Sequence, residues 1–224
     1  MTEKGSTREH LLAAGERLIA LHGTGVSARR IAEEAGAANH SAVAYHFGTK
    51  LDLVLEIVRA HRGETDEIGR AMAEKAAGSA DPREHLACVL LPTLIHLDRL
   101  GPPTYYSRFV IQVLADPALE ERVLPELAGP HAGPAIRAVE RTATDVPAEI
   151  MWMRWRLVRP LLFRASAGFE LELAEGRASA EGTWENLGRF VLDAVGGLLL
   201  APNTLPPGTI RVPDRFQSSV LTEI

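Results

Sequence analysis

Residues 27–50, SARRIAEEAGAANHSAVAYHFGTK, contain two apolar-patterned runs that are each too short to stand as helices in water. An isolated helix needs roughly 12–15 residues before propagation outweighs nucleation, so such runs must lean on neighbours. Ser27 predicts the start of the first, because its hydroxyl can accept from an unpaired N–H of the opening turn, and Gly36 suits the left-handed residue that ends it. Ile31 and Ala35 are its inward residues. Asn39 predicts the cap of a second short helix running from His40 to about Tyr45. Two short helices joined by a tight turn and braced by longer ones make a helix-turn-helix.

The braces are legible on both sides. Ser6 and Glu9 have capping-box spacing, after which Leu11, Leu12, Ala14, Leu18, Ile19 and Leu21 recur at helical intervals as far as His22-Gly23. Thr49 and Asp52 repeat that spacing ahead of Leu51, Val54, Leu55 and Val58. Helical periodicity continues along the chain, so the expected class is all-α. With 224 residues, 46% hydrophobic, the chain can bury a core of its own. No apolar run approaches the ~18–20 residues of a membrane span, and Met1 to Ser6 lack the basic-then-apolar order of a secretory signal. A cytoplasmic protein with no membrane partner is expected. The single Cys88 cannot make an internal disulfide, which fits a reducing compartment.

The net charge of −5 argues against nonspecific nucleic-acid binding, but it conceals an asymmetry. Up to position 62 there are eight basic and seven acidic residues, and after it sixteen basic and twenty-two acidic. The stretches VSARRIAEEAG and SAVAYHFGTKLDLVLEIV resemble the amino-terminal domain of the TetR family of bacterial transcriptional regulators over roughly residues 7–60. The shared marks are an Ile-Ala-x-x-Ala-Gly entry to the turn, an aromatic-His-Phe end to the second short helix and a Gly-x-Lys start to the next. One residue, Ala37 or Ala38, is extra relative to many members and leaves the register of base contacts open.

In that setting the first turn of the second short helix offers unpaired N–H groups and the positive end of the helix dipole, with His40, Ser41 and Ala42 there. His and Ser can hydrogen-bond base edges, and Ala42 can touch a thymine methyl. Tyr45 and His46 carry polar tips suited to phosphate oxygens, Phe47 turns inward, and Lys50 adds a point charge for the DNA backbone. The resemblance implies a base or phosphate contact for Arg29 and a backbone contact for Ser27; either Ser27 or Asn39 also serves as a plain cap. Arg30, His10, His22 and His61 read as surface residues. His40 and His46, six apart, point to opposite sides of a helix and cannot share a metal ion. His85 and Cys88 are i, i+3 neighbours that could share one, but His96 lies about 16 Å further along a helix, leaving two ligands for a metal-responsive regulator. No nucleophile-base motif, phosphate loop or His-Glu-x-x-His is present, so neither an enzyme nor a cofactor is expected. A helix-turn-helix used only as a protein adaptor is the remaining alternative.

Three parts are expected: residues 1–60 for DNA, 61–201 for a helical effector-binding and dimerisation domain, and a proline-rich tail over 202–224. Pro92 should bend the helix HLACVLLPTLIHLDRL, and Gly-Pro pairs interrupt the region from 118 to 143. Tyr105, Tyr106, Phe109, Trp152, Trp155 and Phe163, with His96, Arg108, Arg156 and Arg159 near them in sequence, suit an aromatic or amphipathic anion, although aromatics at helical spacing are more often plain core. In the last helix Trp184, Leu187, Gly188, Val191, Ala194, Val195 and Leu198 form a stripe. The family resemblance implies that the last two long helices pair with their copies in a homodimer across it. It also implies a repressor on a pseudo-palindromic operator, released by a small-molecule effector.

Overall fold

A computed structural model describes residues 3–127, 129–179, 182–206 and 208–211, with side chains from Thr7 onward. Helix α1 runs Glu3–His22, so Ser6 lies inside it rather than capping it. Ser27 caps α2 (Ala28–Glu34) as expected, its Oγ accepting from the Arg30 N–H at 3.2 Å. Helix α3 is Ala42–Phe47 and α4 is Lys50–Ala76, opened by the full Thr49/Asp52 capping box. Gly48 joins them at φ +86°, a left-handed conformation that a side chain would strain. Helix α4 passes position 60 without a break.

Three of the other six helices also begin on a side-chain cap. Asp81 caps α5 (Pro82–Leu100), and Asp116 caps α7 (Pro117–Val123), each followed by the proline that suits a first helical position. Helix α6 is Tyr106–Leu114. After α7 comes a 3-10 turn, Leu124–Glu126, where Pro125 cuts short any longer helix. Helix α8 is Ala132–Thr142, α9 is Ala148–Ala174 and α10 is Trp184–Leu200, capped by Thr183. Pro92 sits inside α5 and is buried. The expected tail lies outside the described residues from 212 onward.

One apolar core joins the two ends. Leu11, Ile19, Ile31, Val43, Leu53 and Ile57 belong to the same buried cluster as Leu90, Leu94, Phe109, Trp155, Val191 and Leu199. Each fully buried large side chain contributes roughly 1.5–3 kcal/mol, enough to hold the short α2 and α3 against α1 and α4. Gly15 makes that bracing close: a Cβ there would lie 3.0 Å from Leu53 Cδ2 of α4. Helix α1 packs also on α6, and Thr24 Oγ1 donates to Asp116 Oδ2 at 3.1 Å, so the helix-turn-helix rests directly on the body.

Candidate nucleic-acid interface

The third helix starts two residues later than the sequence pattern implies. Asn39 does not cap it: its Oδ1 accepts from the Ser41 N–H at 2.8 Å, and its carbonyl accepts from Ala42 N–H at 3.0 Å. This is a side-chain turn in place of a helical one, and it leaves Asn39, His40 and Ser41 exposed ahead of the helix. Ala42 is then on the inward face, 6% exposed beside Val43, and is unavailable to a thymine methyl. Ala44 and Tyr45 occupy the outer face instead, Tyr45 at 68% exposure and edge-on to His46 with ring centroids 5.1 Å apart. His46 and Phe47 are half-buried, and the Arg8 guanidinium lies 5.1 Å over the Phe47 ring.

Glu33, which sequence reasoning did not single out, connects α2 to this surface. Its Oε1 accepts from Arg29 Nε at 2.9 Å and stands 3.6 Å from His40 Nδ1. The Arg29 hydrogen bond holds the Glu33 carboxyl below its ordinary range. The i, i+4 spacing of Arg29 and Glu33 was the available signal. Lys50 does not project freely: its Nζ donates to the carbonyls of Thr24 and Val26. It ties α4 to the loop that enters α2.

The residues named for an effector separate. Trp155, Arg159 and Phe163 line one cavity of about 70 Å³, together with Thr65, Pro92, His131 and Leu162. Burial draws the Arg159 guanidinium down to about 10. The other seven lie outside that lining. Phe109 is fully buried core; Arg108 bonds Glu170 and the Thr104 carbonyl, with its guanidinium 4.9 Å over Tyr105; Arg156 is exposed, 4.7 Å over the Trp152 ring. Tyr106 stacks on His61 at 3.8 Å, and His96 is buried between His61 and Glu64. His61 is thus a half-buried partner and not the surface residue expected. His85 Nε2 faces the Ser79 carbonyl at 3.0 Å and Cys88 Sγ the Glu84 carbonyl at 3.2 Å, while burial raises the thiol. Among the described residues no three His, Cys, Asp or Glu side chains are placed to hold a metal.

The stripe on α10 faces inward. Trp184, Gly188, Val191 and Val195 are buried within the chain, Trp184 edge-on to Phe169 at 4.8 Å, and a Cβ on Gly188 would lie 3.1 Å from Leu91 of α5. Leu187, Ala194 and Leu198 are half-buried at its margins. The outward face carries Phe190, 67% exposed, and neighbouring α9 exposes Met153, Leu157 and Leu171. No described helix is long and apolar enough to cross a membrane.

Residues 11–57 match the family model described as bacterial regulatory proteins, tetR family. No curated protein matches the chain in sequence. A TetR family transcription regulator from Marinobacter aquaeolei VT8 is 20% identical, with 87% of this chain and 95% of that one covered at a TM-score of 0.50. A TetR-family regulator from Streptomyces coelicolor A3 is 23% identical over 89% of this chain and 97% of that one, with a TM-score of 0.37. At such identity the first likeness establishes a shared fold, while the sequence match carries the family. Residues 11–57 accordingly match the tetR family of bacterial regulatory proteins and form a helix-turn-helix set on an all-helical body.

Proposed function

We propose that the chain is a repressor that binds a pseudo-palindromic operator as a homodimer and releases it when a small molecule occupies the body. The observation that carries the DNA part is the exposure of Asn39, His40, Ser41, Ala44 and Tyr45 beside Arg29, over a face whose opposite side is core. Small and polar residues there admit a base edge, with Arg29 and Tyr45 at the margin to meet bases or phosphates. Ser27, His46 and Lys50 act behind them, as cap, packing partner and brace. In a two-fold dimer the two copies would enter successive major grooves about 34 Å apart.

The exposed apolar side chains of α9 and α10 support a dimer through these two helices, with Phe190 and Leu157 central in place of the inward stripe. For the effector, the cavity beside Trp155, Phe163 and Arg159 supports an apolar or aromatic molecule bearing an anionic group, which would favour the charged form of a half-buried arginine. At about 70 Å³ the cavity is smaller than the ~300 Å³ of typical ligand sites, so binding must widen it. That requirement gives the ligand a preference for one conformation. Turning a population from almost all DNA-competent to almost all incompetent needs about 10⁴-fold preference, or about 5.5 kcal/mol. The parts we assign are residues 1–60 for DNA, 61–201 for effector and dimer contacts, and 202–224 as a tail.

The test is capture of fragmented genomic DNA from the source organism by the full chain at about 150 mM salt, followed by sequencing. A few fragments sharing an inverted repeat are expected. Uniform recovery of all fragments, or none in the presence and absence of extracted small molecules, would overturn the operator reading in favour of a protein adaptor.

A further inference from the structure

Four side chains from three helices form an unbroken line where the helix-turn-helix meets the body. Glu16 Oε2 of α1 lies 2.8 Å from His61 Nε2 of α4, His61 Nδ1 lies 2.8 Å from His96 Nε2 of α5, and His96 Nδ1 lies 2.9 Å from Glu64 Oε2 of α4. His96 is 3% exposed, and the His61 and Glu16 side chains 12% and 18%. Each contact needs one hydrogen. Ionised carboxylates supply none, so the four ring nitrogens must carry three hydrogens between them. Two neutral imidazoles carry only two. A complete line therefore holds one proton more than the neutral pair, and a fourth proton would set two N–H groups facing each other at the His–His contact.

We propose that His61 and His96 form a one-proton latch that fastens α1 of the DNA-binding domain to α4 and α5 of the body, closed when the pair shares a single extra proton and opened by its loss. In the closed form His61 donates from both nitrogens, to Glu16 and to His96, while His96 donates from Nδ1 to Glu64. Burial, and then the charge of His61, lower the basicity of His96. The Tyr106 ring of α6, stacked on His61, favours a cation there. Burial pushes the Tyr106 phenol up, so it stays neutral. The charged groups nearby are Arg62 of α4, paired with Glu126, and Arg159 of α9, which faces Glu120; both act on Tyr106. As pH rises past the midpoint of the pair, one of the three bonds loses its hydrogen and lone pairs face each other. The α1 attachment then loosens. The inference rests on the proposed function only for its consequence, that operator affinity falls with the latch open.

The test is side-chain 15N NMR of the full chain across pH 5–9 (roughly the range in which histidine titrates), with amide exchange of residues 7–47 corrected for its intrinsic pH dependence. The two rings are expected to titrate with one common midpoint. Exchange protection of α1 to α3 should drop about tenfold above it. Glu64→Gln, at a side chain 58% exposed and therefore tolerant, should move that midpoint to lower pH; His96→Gln should remove the pH-linked loss of protection. Rings that titrate independently, or a protection profile unchanged by Glu64→Gln, would overturn the latch. Because these signals need no DNA, a latch that titrates in a chain without operator affinity leaves the latch standing and the repressor reading refuted.

Discussion

Lys50 Nζ donates to the Thr24 carbonyl at 2.6 Å and to the Val26 carbonyl at 3.1 Å. A cation in the first turn of a helix opposes its dipole, and that cost is offset here by two carbonyls of the loop leading into α2. The residue is a brace that sets the position of Ser27 and Arg29. Lys50→Met should therefore lower stability by about 1.5–3 kcal/mol, the range for hydrogen bonds made by a charged group. Operator affinity should fall with it, while the dependence of log K on log salt keeps its slope. A slope reduced by about 1 would mean that Lys50 neutralises a phosphate after all. Chemical denaturation and a salt series of binding isotherms separate these outcomes.

Tyr45 is the complementary case. Its ring is 68% exposed on the outer face of α3, so Tyr45→Ala should change unfolding free energy by no more than about 0.5 kcal/mol. Operator affinity should drop about tenfold, the value of one good contact of about 1.4 kcal/mol. An unchanged affinity would place the DNA surface elsewhere.

The contrast between these residues shows what the sequence held. Capping residues act on their immediate neighbours, so Ser27 and Thr49/Asp52 were legible one at a time, and so was the two-helix unit they delimit. Asn39 misled because the same amide can close a turn two residues before a helix, a choice made by the packing of Val43. That shift of two residues turned Ala42 inward. Periodicity likewise revealed the stripe of α10 but not its direction, because a helix with two apolar sides offers either to its own body. Trp184 and Val191 went inward and Phe190 stayed out. The line through His61 and His96 joins residues 35 apart in sequence, and no local pattern announces it.

Glu170 fastens α6 to α9 from a fully buried position. Its carboxylate accepts from the Ser107 and Arg108 N–H groups at 3.0 and 3.1 Å, meeting two of the unpaired donors of the first turn. Glu170→Ala should cost about 3–5 kcal/mol, since it strands these donors and the half-buried Arg108. Burial raises the carboxyl above its ordinary range despite those bonds. A native value above the unfolded one means that the folded chain binds this proton more tightly. The contribution is thus favourable below the unfolded value, about 4.3, and is lost as pH rises through the folded one. Glu170→Gln should remove this fall in stability with pH. Thermal unfolding between pH 4 and pH 7 reads both effects, roughly the window in which carboxyl groups raised by burial titrate.

Phe190 tests the proposed dimer. An exposed aromatic near the middle of the outer face of α10, the helix packed on the α9 that exposes Leu157 and Met153, has the character of an interface anchor. Replacing it by a carboxylate would set two charges against each other across a two-fold axis while leaving the inward stripe intact. Phe190→Glu should therefore keep the helical content and melting of the monomer, and raise the dimer dissociation constant by at least about 100-fold, equivalent to about 2.7 kcal/mol. Sedimentation velocity over a concentration series would show it directly. Loss of the dimer should carry loss of operator affinity, because a single recognition unit retains only one half-site. Should the variant sediment as a dimer, the contact lies on another face, and the spacing of the two DNA-binding units must be set from there.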